Sequence, residues 1–260
     1  MKIIKGLYKI MQYSWLNGII EGIKQSKNID DIKSQCEAIC RALEIDFYSF
    51  VIRIPSSLFS PEIITLSNYP QLWQEHYFSQ EFMSLDPVIA YSQQHITPVN
   101  WSDLTNYTDF NSPKKLTVLK EAKTYGLCTG VSIPLKAPTG EMSVFSLSST
   151  SQRCVITECQ INIQLQAQVI APYLHEAIKI INYKAKEILS HDEVKITNRE
   201  EECLLWACEG KTSWEISKII GISERTVLFH LNNVSQKVGG VNRQHSVAKA
   251  LLNGLIQPKF

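Results

Sequence analysis

Long uncharged apolar runs are missing from this chain. It nowhere reaches the stretch of about 18 apolar residues that reads as a membrane-spanning helix, and lysines interrupt the N-terminal "MKIIKGLYKIMQYSWLNGIIEGIK". That leaves no apolar segment of the kind a secretory leader needs. The chain therefore reads as a cytoplasmic protein with no membrane partner. A surplus of one charge is missing too: 26 Lys and Arg face 25 Asp and Glu over 260 residues, for a net +1. A polycation is excluded, and any nucleic-acid contact has to come from local geometry. The seven cysteines are odd in number and include no C-x-x-C pair. They read as reduced, mostly buried thiols rather than a disulfide or zinc framework. There is no internal repeat and no low-complexity tract.

The signatures of catalysis are also missing. The six histidines, at 76, 95, 175, 191, 230 and 245, form neither H-x-H nor H-E-x-x-H, and no G-x-S-x-G occurs. Those spacings would place two metal ligands on one helix face or expose a nucleophilic serine on a strained turn. The pair His175-Glu176 reads as a solvated part of a helix. The expectation is therefore no enzyme, no catalytic residues, no metal and no cofactor. A phosphorylated receiver is excluded as well, since the chain shows neither its acidic cluster nor its alternating strands and helices.

What is present divides near residue 190. Ile163, Ala167, Ile170, Leu174, Ala177, Ile178 and Ile181 recur at helical spacing and predict one long helix over 156–189. The charge-rich "KEILSHDEVK" then loses the pattern, and "TNRE" opens a new helix with a capping box. The predicted organisation is a domain over 1–185, a linker over 186–196 and a second domain over 197–260. In the first domain, strands are predicted at 47–53, 62–68, 130–135 and 142–148, the last two forming a hairpin across "PTGE". Helices are predicted at 7–24, 30–43, 70–82, 87–94 and 113–124. The fold class that results is α+β, an α/β/α sandwich around an antiparallel sheet, followed by an all-α unit.

The second domain is written almost entirely in local signals. Thr212-Ser213-Trp214-Glu215 is another capping box, and Ile216, Ile219 and Ile220 are expected on one helix face. Gly221 can end that helix in the left-handed conformation, and Ser223 can cap the next. There Val227, Leu231, Val234 and Val238 form a stripe that needs burial against a neighbour. With helices at 199–208 and 243–253, this is a four-helix unit with a helix-turn-helix. Opposite the valine stripe lie Arg225, Phe229, Asn232, Asn233 and Gln236, with Thr226, Leu228 and Lys237 at the margins. Amides pair with adenine edges and apolar groups meet thymine methyls. Lys211, Arg225, Lys237 and Arg243 are placed to hold phosphates, and Thr212 joins them among the expected DNA contacts. From residue 197 onward, eight Lys and Arg stand against six Asp and Glu. A helical interaction module with a polar face is the plain alternative.

"TNREEECLLWACEGKTSWEISKIIGISERTVLFHLNNVSQKV", with "NRQHSVAKALLNGLI" after it, resembles the DNA-binding domain of the LuxR family, with Glu200, Leu204 and Gly210 on signature positions. Leu228 stands where the wider superfamily often carries Lys or Arg. The first domain resembles the autoinducer-binding domain of LuxR-type quorum-sensing receptors. The residues that carry this are N-Y-P-x-x-W-x-x-x-Y from Asn68, D-P-V from Asp86, Trp101 and G-x-x-x-P from Gly130. Read without the resemblance, Asp86 is a helix cap ahead of Pro87 and the aromatics are core.

The resemblance implies an N-acyl homoserine lactone effector. Trp73 would donate to the lactone carbonyl, Asp86 would accept the amide N–H, and Tyr69 and Ser146 would donate to the acyl carbonyl. Tyr77 and Trp101 would wall the pocket, and Gly130 would permit close strand packing. The acyl chain would run against residues such as Phe47, Val51 or Val144. Gln74 stands where some 3-oxo receptors have Arg. The implied partners are double-stranded DNA, the autoinducer, a second copy of the chain joined through the long helix, and RNA polymerase. The alternative is an orphan-type dimeric regulator that acts without ligand or with a different small molecule.

Overall fold

The computed structural model describes residues 2–55, 57, 59–150, 157–189 and 195–257, with only the backbone course for 2–13, 157–160 and 185–189. Its contacts divide it into two compact units. One comprises Met1–Ile52, Ile63–Lys136 and Met142–Lys186; the other comprises Arg53–Glu62, Ala137–Glu141 and Glu187–Phe260.

The first unit opens with helices α1 (Lys2–Gln25) and α2 (Ile29–Leu43). Asn28 caps α2 by accepting the Asp31 amide, and Ile32, Cys36, Ile39 and Cys40 are its buried face. Strands β1 (Phe47–Ile54) and β2 (Glu62–Ser67) follow, then α3 (Gln71–Ser79) and α4 (Pro87–Gln94). The helix predicted over 70–82 stops short of its expected end. Glu81 takes a left-handed φ of 52°, and the chain makes a 3-10 turn over Phe82–Ser84 before α4. Asp86 caps α4 by accepting the Val88 amide, with Pro87 at the first helical position, as its sequence signature predicts.

Two elements escaped the sequence reading, strand β3 (Val99–Asn100) and the 3-10 segment Trp101–Asn106. Helix α5 (Pro113–Thr124) then leads into the hairpin β4 (Thr129–Lys136) and β5 (Met142–Ser149). Strand order is β2-β1-β5-β4-β3. The strands β4 and β5 pair antiparallel with Ser132 opposite Ser146, and β3 pairs antiparallel with β4 through Val99 and Ser132.

Alternation along β5 sends Met142, Val144 and Ser146 to the face covered by α3, α4 and α5, and Ser143, Phe145 and Leu147 to the other. On that second face lies α6 (Thr157–Leu189), unbroken despite Pro172 within it. Its Ile163, Ala167, Ile170, Leu174, Ala177 and Ile178 are buried, as their spacing predicted. His175 was expected in solvent and is not. It is 4% exposed, with Nδ1 3.0 Å from the Ser143 hydroxyl, because it shares the packed face of α6.

The second unit holds α7 (Asn198–Cys208), α8 (Ser213–Ile220), α9 (Glu224–Val238) and α10 (Arg243–Leu252). Both expected capping boxes form, Thr197 with Glu200 and Thr212 with Glu215. Gly221 ends α8 at φ 71°, and Ser223 caps α9 through the Thr226 amide. Val227, Leu231, Val234 and Val238 pack with Cys203, Leu204 and Ile216 into one core. Ile219 was expected beside Ile216 and is instead 45% exposed. The buried stripe of α8 runs through Ile216 and Ser217.

Candidate ligand cavity and nucleic-acid interface

The six residues expected to bind a ligand, Tyr69, Trp73, Tyr77, Asp86, Trp101 and Ser146, line a single cavity between the sheet and helices α3 to α5. It encloses about 100 Å³, where one water occupies roughly 10–15 Å³. Its walls are largely apolar, with Met83, Val118, Leu119, Ala122 and Leu127 among them. These last five were not foreseen, because ordinary core residues carry no local mark of facing a void. Val51 and Val144 line the cavity as expected. Phe47 does not; it packs edge-on against Tyr69 with ring centres 6.3 Å apart.

Trp73 is 4% exposed and sits in an aromatic cage, 5.6 Å from Tyr77, 5.5 Å from Tyr125 and 6.1 Å from Phe82. The spacing of Trp73 and Tyr77 on one turn of α3 brings them together. Gln74 lies beside them and donates its Nε2 to the Tyr69 carbonyl at 2.7 Å. His76 ties α3 to α5 through Glu121 at 2.5 Å.

The polar groups of the cavity have two poles. At one, Asp86 accepts the Tyr77 hydroxyl at 2.9 Å and the Val88 amide at 2.7 Å. Tyr77 therefore does more than wall the cavity. Burial pushes the Asp86 carboxyl above its ordinary range, against the opposing pull of Val88, Tyr77 and Ile89. An ionised carboxylate offers about four lone-pair directions, so Asp86 retains capacity to accept from a further donor. At the other pole, Trp101 donates its indole N–H to Ser132 at 2.9 Å, and Ser132 lies 2.8 Å from the Ser146 hydroxyl. Ser132 has no local motif, and only strand register reveals it.

The Tyr69 and Ser148 hydroxyls are buried without a hydrogen bond of good geometry. Burial pushes the Tyr69 pKa up, partly offset by the nearby Ser148. Gly130, expected to ease strand packing, makes room for a ring instead: a Cβ there would lie 2.5 Å from the Trp101 indole.

In the second unit, α9 turns a mixed polar and apolar face outward. Arg225, Asn232 and Gln236 are exposed, as are Leu228 at 46% and Phe229 at 60%, while Thr226 and Asn233 are half-buried. Several of the expected DNA-contacting groups are already engaged. The Thr212 hydroxyl bonds Glu215, and Thr226 lies 2.7 Å from Ser223. Lys237 donates to the buried Glu200 at 2.6 Å, and Arg243 donates to the half-buried Lys211's carbonyl. Burial acts to raise the pKa of Glu200, but bonds from Lys237 and the Thr197 amide outweigh it and hold the carboxyl below its usual range.

Two family models match the sequence: "Autoinducer binding domain" over residues 28–178, and "Bacterial regulatory proteins, luxR family" over residues 194–250. The chain belongs to the LuxR family. It is 35% identical to the transcriptional activator protein LuxR of Aliivibrio fischeri over 241 residues, covering 92% of this chain and 93% of that one. It is 30% identical to the regulatory protein SdiA of Escherichia coli (strain K12), covering 94% and 98%. The crystal structure of Escherichia coli SdiA superposes with a TM-score of 0.76 at 28% identity, over 95% of this chain and 99% of that one. SdiA in complex with octanoyl-rac-glycerol gives 0.74 at 28% identity, over 95% and 98%. The family comprises transcriptional regulators rather than enzymes. Membership gives the chain a small-molecule effector and a DNA-binding helix-turn-helix. Among the described residues, no helix is long and apolar enough to cross a membrane.

Proposed function

We propose that the chain is a cytoplasmic quorum-sensing regulator that binds an N-acyl homoserine lactone within residues 1–185. As a homodimer it then binds an inverted-repeat promoter element through residues 197–260, with 186–196 as the linker. The observation that carries this reading is the half-buried Asp86 carboxylate, desolvated where it faces an aromatic, largely apolar cavity. Left alone, such a charge is costly to bury, and an amide N–H from a ligand offsets that cost. Trp73 donates to the lactone carbonyl, Tyr69 and Ser146 donate to the acyl carbonyl, and Tyr77 orients Asp86. The acyl chain lies against Val51 and Val144.

Dimer formation is supported by a second apolar stripe on α6. Ile161, Leu165, Val169, Ile180 and Tyr183 are each at least 45% exposed and fall on the side opposite the buried stripe. An exposed apolar stripe of this length is a typical contact surface. On DNA, Arg225, Phe229, Asn232, Asn233 and Gln236, with Leu228, enter the major groove. Lys211, Thr212 and Thr226 lie at its edge, and two such helices meet successive grooves. RNA polymerase is the partner through which an activator of this kind works.

A monoacylglycerol is the second effector reading. The related SdiA has been solved with octanoyl-rac-glycerol. An ester carbonyl and a free hydroxyl present the same acceptor and donor as an acyl amide.

Thermal unfolding against acyl homoserine lactones of graded chain length tests the proposal. A ligand at one hundred times its Kd stabilises by about 2.7 kcal/mol. A rise in midpoint that peaks at one chain length is expected. If no lactone shifts protein shown to carry no co-purified ligand, the lactone reading is overturned. A shift with octanoylglycerol alone selects the second reading.

A further inference from the structure

We infer that Trp101 and Ser132 are positioning residues that fix the Ser146 hydroxyl as a hydrogen-bond donor, so that this pole of the cavity takes a ligand's carbonyl oxygen and rejects a donor. The inference rests on the reading of the cavity as an acyl-ligand site and assigns its polarity.

The number of protons in the relay fixes its direction. An indole N–H can only donate, so Ser132 Oγ is the acceptor in its 2.9 Å contact with Trp101. Ser132 is fully buried, and among the described residues its one remaining hydroxyl contact is Ser146 at 2.8 Å. Two arrangements are open to that pair. If Ser146 donates to Ser132, Ser132 accepts twice and its own proton is buried without a partner. That costs about 1–3 kcal/mol. If Ser132 donates to Ser146, both Ser132 contacts are made and the one proton left over belongs to Ser146. The Ser146 proton then lies on the cavity wall beside the Tyr69 hydroxyl, where a ligand's acceptor can take it. The second arrangement wins. The direction of the whole relay is set at Trp101, the one member that cannot reverse.

Three adjacent strands hold the relay in register. The pairing of β4 with β5 puts Ser132 opposite Ser146, and the pairing of β3 with β4 ends where Trp101 begins. The indole lies over Gly130, where a Cβ would come within 2.5 Å of it. A ring seated that closely cannot turn its N–H elsewhere without moving the strand.

Asp86 fixes the opposite polarity at the other pole, where it accepts. The cavity thus reads a donor and an acceptor in a set order. That order suits an amide or an ester of a hydroxylated head group, whose carbonyl accepts more strongly than an ether oxygen, and disfavours a free alkyl chain.

The test is a set of dissociation constants for the full-length protein with N-octanoyl homoserine lactone, octanoylglycerol and the ether 1-O-octylglycerol. Trp101→Phe keeps the bulk of the wall and removes the N–H. It should weaken a carbonyl ligand about threefold to tenfold, the worth of one hydrogen bond, and leave the ether within twofold. In a Ser146→Ala background the same change should cost less than twofold, since the relay then ends on nothing. Ser132→Ala should match Trp101→Phe, and Ser132→Thr, which keeps the hydroxyl, should recover most of the loss. Equal losses for carbonyl and ether ligands, or a Trp101→Phe effect undiminished in Ser146→Ala, would overturn the relay and leave Trp101 as a wall. Should Ser146→Ala fold poorly, the carbonyl-to-ether ratio in Trp101→Phe decides alone. If the unaltered protein binds none of the three probes, the acyl-ligand reading fails and the relay falls with it.

Discussion

Asp86 serves two purposes at once, and they pull in opposite directions. Its carboxyl caps α4 through Val88 and faces the cavity, so burial raises its pKa. The folded chain therefore takes up this proton at a higher pH than the unfolded chain does. Ionised Asp86 then lowers stability at neutral pH, and acidification through the raised pKa relieves that cost. Asn keeps the cap and removes the charge. Asp86→Asn should leave the ligand-free melting temperature unchanged or higher at neutral pH, with the gap closing as pH falls, and should abolish most of the ligand-induced rise. A lower ligand-free midpoint would show that the charge is already compensated without ligand. Lys237 makes the contrasting case. The lowered pKa of Glu200 gives stability that is present above the ordinary carboxylate range and lost as pH falls through it. Lys237→Met should destabilise by about 1.5–3 kcal/mol, the range for bonds to charged groups, and flatten that acid loss in urea titrations. Because the ammonium is held by Glu200, the salt dependence of DNA binding should keep its slope. A slope reduced by about one would instead place Lys237 on a phosphate.

At the scale of elements, the cavity wall depends on a strand of two residues. Val99–Asn100 carries Trp101 onto β4, and Gly130 gives the ring its seat. Gly130→Ala should cost about 1–3 kcal/mol from overpacking, measured by chemical denaturation, and should also lose the ligand response. Retained stability with an altered ligand preference would mean that the ring moves rather than the strand. Elements closed by their own neighbours were plain in the sequence: the capping boxes at Thr197 and Thr212, the Asp86-Pro87 start of α4, and Gly221. Each rests on contacts three or four residues apart. The strand β3 has no such internal logic, since two residues become a strand only by pairing with a partner some thirty residues away.

Across the whole molecule, α6 has two apolar stripes and buries only one. The other is the face assigned to a second copy. Leu165→Glu with Val169→Glu should give a monomer by sedimentation while far-UV circular dichroism stays unchanged. Affinity for an inverted repeat should fall at least tenfold, with half-site affinity preserved. A dimer that persists would move the interface elsewhere. On DNA, Phe229→Ala should relax discrimination at thymine positions, where apolar contact reads the methyl group, and leave the salt slope as it was.

The sequence by itself determined the class of the fold and the helix-turn-helix, and its family motifs named six residues that line the cavity. Periodicity, caps and family motifs are properties of neighbours along the chain, and they survive without coordinates. Tertiary structure alone decided which groups are already occupied. Lys237 and Arg243 are positively charged in any reading of the sequence, yet one is taken by Glu200 and the other by a carbonyl. His175 is helical in both descriptions, and only packing against β5 shows that it is buried. Ser132 looks like any serine in a strand until its register places it between Trp101 and Ser146. Hydrogen-bond partners across a sheet or between helices are set by three-dimensional proximity, which no local pattern of residues encodes.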